Sequence, residues 1–264
     1  MLLYAAAALL VLLAIGPALW LVVISFSSNQ TPLHALPTMD QLTVDNYRGA
    51  WREGRLLIPF ANSILVTASH ACLNVLLAAL AAFPLARMTF RGRDTIFVII
   101  LATLMIPEQV MVVPLFRTVV NFGLFDTLAA VVIPFSVSAF GIFLVRQAML
   151  GIPRELEEAA QIDGAGSLHV WWHVMIPLAT PALATLAVFS IIGSWSSLLW
   201  PLIVLQSPEN VTLPVRINEL LGAFATNVRW FYAGSVLALV PMVLMYVALQ
   251  RWLQRGLLAG AVKG

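Results

Sequence analysis

Charge is scarce in this 264-residue sequence. Only 10% of its residues are Asp, Glu, Lys or Arg, while 61% are hydrophobic. Soluble domains carry roughly 25% charged and 45–50% apolar residues. At a mean hydropathy of +0.95 too few charges remain to cover a water-facing surface, so a soluble globular protein is excluded. Disorder is excluded as well, because it requires low hydrophobicity and high charge. Lysine occurs once, as Lys263 in the tail. A phosphate-binding loop needs a Gly-rich backbone followed by Lys and Ser or Thr, so this chain is not an ATP hydrolase by that route. The net charge of +2 is too small for a nucleic-acid footprint. The single cysteine, Cys72, cannot form an internal disulfide and reads as a small packed residue. No Cys or His cluster has metal-ligand spacing, so no metal site is expected.

What the sequence has in abundance is long apolar runs. A membrane-spanning helix needs about 20 mostly apolar residues, and six segments meet that requirement: residues 2–24, 59–85, 95–114, 127–149, 180–205 and 231–252. They are too long and too uniformly apolar for barrel strands, which alternate over about ten residues. An all-α membrane protein of six transmembrane helices follows, since in lipid only helices and closed barrels satisfy the backbone. The first run reads as a retained helix, because it lacks a basic start and a clean small-residue cleavage site. No repeat or low-complexity tract divides the chain, and residues 1–264 are expected to form one transmembrane domain.

Basic residues orient the spans. One side collects eight: Arg87, Arg91, Arg93, Arg146, Arg154, Arg251, Arg255 and Lys263. The other collects six: Arg48, Arg52, Arg55, Arg117, Arg216 and Arg229. The bias places the first set, and with it both termini, in the cytoplasm.

One cytoplasmic loop, residues 150–178, differs from the rest. It holds four of the twelve acids: Glu155, Glu157, Glu158 and Asp163. Pro153 suits the first turn of a helix, the glutamates sit at the positive end of its macrodipole, and Gly164 suits its C-terminal cap. A short helix over residues 153–164 is expected, too short and too charged to span. Ala159 and Ala160 leave a low-relief stripe that fits a partner's groove, although an ordinary surface helix satisfies the same pattern.

Glu158-Ala159-Ala160-x-x-Asp163-Gly164-Ala165, followed by Val174-Met175-Ile176-Pro177, resembles the signature loop of ABC importer permeases. Ile176 stands where that family usually has Leu. The similarity extends along the chain: Asn46-Tyr47 before the second span, Asn62-Ser63 opening it, Arg87-Met88-x-Phe90-Arg91-Gly92 after it, Trp200-Pro201-Leu202, and the tail from Gly256-Leu257 to Gly260-Ala261-Val262-Lys263-Gly264. The sequence is most similar to the second, six-helix permease of the maltose-type, carbohydrate-uptake branch. Family members usually carry a basic stretch before the first helix, which is missing here.

The resemblance implies a type I ABC importer permease fold with a cytoplasmic coupling helix. It implies a multi-pass protein of the bacterial inner membrane that imports a sugar or sugar derivative by alternating access. The expected partners are a second permease, two ATPase subunits that bind ATP and Mg, an extracytoplasmic substrate-binding protein and membrane lipid, with no nucleic acid. No cofactor is expected on this chain and no catalytic residue. Glu158 would pair with a basic group of the ATPase, Ala159 and Ala160 would pack in its groove, and Asp163, Gly164 and Ala165 would complete the coupling segment. Glycerol-phosphate or amino-sugar import is the alternative substrate class.

An ion-coupled secondary transporter is the competing class. It would need ionisable groups in the spans, where only His70 and Glu108 stand out. His70 reads as a satisfied histidine and Glu108 as an interfacial acid, with a proton relay and a substrate contact as the respective alternatives. No Ser/His, Cys/His or paired-carboxylate constellation supports an intramembrane enzyme, and no filter supports a channel. For the sugar path the candidates are Trp195, Ser196, Ser197 and Trp200, since aromatic faces and hydroxyls suit sugar rings. Packing and interfacial anchoring explain the same residues.

Overall fold

The computed structural model describes residues 2–222 and 227–261. Lys263 and the rest of the final Val262-Lys263-Gly264 lie outside the described residues. The all-helical expectation is borne out: among the described residues the only β pairing is an isolated bridge between Ser27 and Leu42. The chain divides into two compact units, Met1–Asn62 with Pro208–Leu244, and Ser63–Ser207 with Met245–Gly264. Each unit draws on separated stretches of sequence, so the division does not cut the chain into successive domains.

The first unit contains α1 (Leu2–Ser25), α2 (Asp45–Arg52), the start of α3 (Leu57–Arg87) and α12 (Leu213–Glu219), together with much of α13 (Val228–Ala261). Polar side chains close it. Asn46 on α2 donates to the carbonyls of Ser25 and Ser27 at 2.9 and 2.8 Å, satisfying the open end of α1. Its neighbour Tyr47 shares a 2.6 Å hydrogen bond with Ser25 Oγ, and burial holds its phenol above the usual tyrosine range. Arg229, buried, reaches Ser27 Oγ, Asn29 Oδ1 and the Thr31 carbonyl. Gly49 is required by packing, because a Cβ there would lie 2.3 Å from the Trp230 indole.

The second unit is built on α3. Ala78, Ala82 and Ala86 repeat every four residues along it, and small residues at that spacing let helix backbones approach closely. Packed against this stripe are Val145 and Met149 of α7 (Ala139–Leu150), Leu183 and Leu186 of α10 (Ile176–Trp195), and Trp171, whose indole donates to the Ala79 carbonyl at 3.2 Å.

Among the described residues three helices are long and apolar enough to cross a membrane: Leu57–Arg87, Ser167–Trp195 and Val228–Ala248. The first helix adds a shorter apolar stretch, Leu9–Ser25. Two further spans are broken. Where one run over residues 95–114 is expected, α4 (Arg93–Ala102), a 3₁₀ turn and α5 (Glu108–Asn121) bend by 103°. The cause is Pro107, which bars its predecessor from helical geometry; Ile106 is extended, with φ −86° and ψ 116°. The run at 127–149 is α6 (Leu128–Val132) and α7, bent by 46° beyond a 3₁₀ turn at Ile133–Phe135. Thr127 and Ser138 cap these two helices through bonds from Ala130 and Gly141 N–H. The fifth run also differs from 180–205. Its helical stretch starts at Ser167 and ends at Trp195, and α11 (Leu199–Val204) is separate. Asp126 ties α11 to the turn before α6, accepting from the Gln206 and Ser207 N–H groups at 2.8 and 3.0 Å and from the Ser207 hydroxyl.

Candidate functional site

The helix expected at residues 153–164 forms as α8 (Arg154–Ile162), with Pro153 as its N-cap. Its exit is a full Schellman turn. Gly164 adopts φ +85°, its N–H bonds the Gln161 carbonyl at 3.0 Å, and the Ala165 N–H bonds the Ala160 carbonyl at 2.9 Å. Glu158, Ala159, Asp163 and Gly164 are exposed; Ala160 and Ala165 are half-buried. Ile162 is 86% exposed, and beyond the turn Leu168 and Trp172 are also uncovered. Apolar side chains thus accompany the acidic face of a short, rigidly terminated helix.

Arg87 fixes where α8 stands, and Arg146 braces the end of α3 from which Arg87 acts. Arg87, in the last turn of α3, donates to the carbonyls of Met149 and Ile152, which lie immediately before α8. Its Nε is 3.8 Å from the Glu157 carboxylate, and both side chains are largely buried. Glu157 and Glu158, adjacent in sequence, therefore do different things: Glu157 turns inward to the scaffold and Glu158 outward. Arg146 donates from α7 to the Leu85 carbonyl at 3.0 Å, lies 3.9 Å over the Phe97 ring, and is 3.8 Å from Asp94. In the sequence Arg146 registers only as orienting charge, and Arg87 as orienting charge and part of a family-like turn. The signal that could have marked them is position, since each lies near the end of a long apolar run, where helix carbonyls lack donors.

A second feature is a cavity of about 530 Å³ inside the Ser63–Ser207 unit. Its wall gathers His70 and Asn74 of α3, Glu108 and Gln109 at the start of α5, and Ser190 and Ser194 of α10. Phe140 and Phe189 meet edge to face on it, with ring centres 5.7 Å apart. Ser138 donates to Asn74 Oδ1 at 3.0 Å while its own oxygen receives the Gly141 N–H. His70 Nε2 lies 3.0 Å from the Phe135 carbonyl, which can only accept, so Nε2 carries the proton; Nδ1 is buried without a hydrogen-bond partner.

The four sequence candidates for the sugar path separate here. Ser197 and Trp200 line the cavity. Trp200 is buried and spends its N–H on the Ala130 carbonyl at 2.9 Å. Trp195 is buried at the end of α10 and is not part of the cavity wall. Ser196 bonds back to the Ile192 carbonyl at 2.7 Å and is not part of the cavity wall. His70 and Glu108, read from sequence mainly as a satisfied histidine and an interfacial acid, both belong to the wall.

Comparison with known proteins agrees with this architecture. Residues 74–258 match the family described as binding-protein-dependent transport system inner membrane component. The arabinooligosaccharides transport system permease protein AraQ of Halalkalibacterium halodurans is 34% identical over 262 residues, covering 97% of this chain and 94% of the relative. The lactose transport system permease protein LacG of Rhizobium radiobacter is 29% identical over 98% of this chain and 95% of its own. A chain in the crystal structure of a bacterial ABC transporter involved in the import of the acidic polysaccharide alginate superposes with a TM-score of 0.85 at 25% identity, covering 95% of this chain and 94% of that one. The fold is the type I ABC importer permease fold, and the chain belongs to the inner membrane components of binding-protein-dependent transport systems.

Proposed function

We propose that the chain is one of two permease subunits of an ATP-driven importer that carries a sugar or sugar oligomer across the bacterial inner membrane. The observation that carries this reading is α8. Exposed Glu158, Ala159 and Ile162 offer a small docking face, the Gly164 turn terminates it, and Arg87 with Glu157 holds it against the scaffold. Such a helix transmits force if a cytoplasmic ATPase grips it. Two ATPase subunits bind ATP and Mg, and this chain holds no cofactor. Because the described residues carry one such helix, a second permease supplies the other. An extracytoplasmic binding protein delivers the substrate. Both termini and α8 are cytoplasmic in this scheme. AraQ and LacG, named for arabinooligosaccharides and lactose, support the sugar class.

The test is uptake by the reconstituted complex. Transport of sugar that needs ATP hydrolysis, and that Glu158→Ala abolishes together with ATPase co-purification, supports the reading. Uptake driven by an ion gradient without ATPase subunits overturns it. In a Cys72→Ser background, single cysteines at Gln30 and Ser167, both exposed, should label from opposite faces of the membrane.

A further inference from the structure

The cavity in the Ser63–Ser207 unit has a one-sided charge. Among its lining residues the only ionisable ones are Glu108 and His70, and neither Arg nor Lys contributes. Glu108 is the first residue of α5, placed there by the bend at Pro107, and its carboxylate makes no ion pair or hydrogen bond with another described residue. Around it stand groups that exchange hydrogen bonds without charge: Gln109, Asn74, Ser190 and Ser194. Phe140 and Phe189, both partly exposed, add apolar ring surface.

We infer that this cavity is a subsite for a sugar ring bearing no anionic group, with Glu108 as both its hydroxyl acceptor and its charge filter. A free carboxylate accepts from two neighbouring hydroxyls at once, and aromatic rings pack against the C–H face of the ring. The same carboxylate repels a uronate or a phosphate, and no cation in the wall offsets that repulsion. The volume lies in the range of small-molecule sites, about 300–1,000 Å³. This deepens the sugar-import reading and rests on it for the identity of the ligand. It separates the chain from its structural relative, which belongs to an importer of an acidic polysaccharide.

The experiment measures thiol access to the cavity in the purified, membrane-embedded complex. In a Cys72→Ser background, Ser194→Cys is modified with cationic and anionic methanethiosulfonates of similar size, their rates normalised to a free thiol. The anionic reagent should be slower by roughly tenfold, and Glu108→Gln should erase most of that difference. Ser197→Cys provides a second reporter, and Ser196→Cys, outside the wall, should show little preference. At equal concentration arabinobiose, lactose or raffinose should slow modification, whereas lactobionate, the acid of lactose, should not. Equal rates for both reagents, a preference that survives Glu108→Gln, or protection by lactobionate and by no neutral sugar overturns the inference. Thiol access requires no ATP. A filter that persists in a complex lacking ATP-driven uptake would therefore leave the charge assignment standing and remove the importer reading alone.

Discussion

Arg87 and Arg146 cap each other's helices. Arg87 at the end of α3 serves the Met149 carbonyl at the end of α7 and the Ile152 carbonyl just beyond it, and Arg146 on α7 serves the Leu85 carbonyl at the end of α3. Helix C-termini expose carbonyls and carry partial negative charge, so a guanidinium supplies both donor and counter-charge. The exchange brings α3, α7 and the root of α8 together.

Arg87→Ala should therefore act at a distance from any ligand. It orphans buried carbonyls and leaves Glu157 without its partner. The expected loss is about 1.5–3 kcal/mol, the range for hydrogen bonds to charged groups. Arg87→Lys should recover only part of it, since an ammonium lacks the planar fork. The melting temperature of the detergent-purified complex measures the loss. An unchanged melting temperature in Arg87→Ala would remove the capping role.

Glu157 and Glu158 should respond oppositely to neutralisation. Glu157→Gln weakens the contact with Arg87 and should lower stability by about 1 kcal/mol, because the pair is largely shielded. Glu158→Ala is a surface change and should stay within about 0.5 kcal/mol, yet release the ATPase. Melting curves and co-purification, run on both variants, separate the two roles.

Gly164 tests the turn itself. A Cβ there meets nothing within 4 Å, so only the backbone at φ +85° resists substitution. Gly164→Asn should be mild, Gly164→Ala should cost about 1–2 kcal/mol, and Gly164→Val should cost more, following left-handed preferences. ATP hydrolysis per sugar imported should rise in the same order. Equal effects for all three would mean that the turn is not left-handed in the assembled protein.

Gly141 is constrained by space. A Cβ there would lie 2.6 Å from Ser138 Oγ and 2.9 Å from Asn74 Oδ1. Gly141→Ala should displace the α7 cap and cost roughly 1–3 kcal/mol, the range for overpacking. Adding Ser138→Ala removes one obstruction, so the double variant should lose less than the sum of its parts. Strict additivity of the two melting shifts would argue against the contact.

Local features were the legible ones. Pro153 and Gly164 punctuate α8 within a dozen residues, and its helix and turn follow from them. Hydropathy marks apolar runs, but it is blind to a change of direction inside one, so the 103° bend at Pro107 passes as continuous. The cavity was not legible, because it joins His70, Glu108 and Ser194 across more than a hundred residues of chain. Trp195 and Trp200 look equivalent on paper and part company in space, since α10 stops between them. Asn46 and Tyr47 carried a family resemblance without a reason; the reason is that both clasp the end of α1.

The π turn at Trp171–Met175, between α9 (Ser167–Val170) and α10, sets the phase of everything before it. A π turn holds one residue more than the α-helical repeat, and one residue amounts to about 100° of rotation. Excising a single position would convert this stretch to ordinary helix and swing α8 around the axis of α10 by that angle. The compass bearing of α8 is thus recorded as a count of residues in the stretch that joins it to α10.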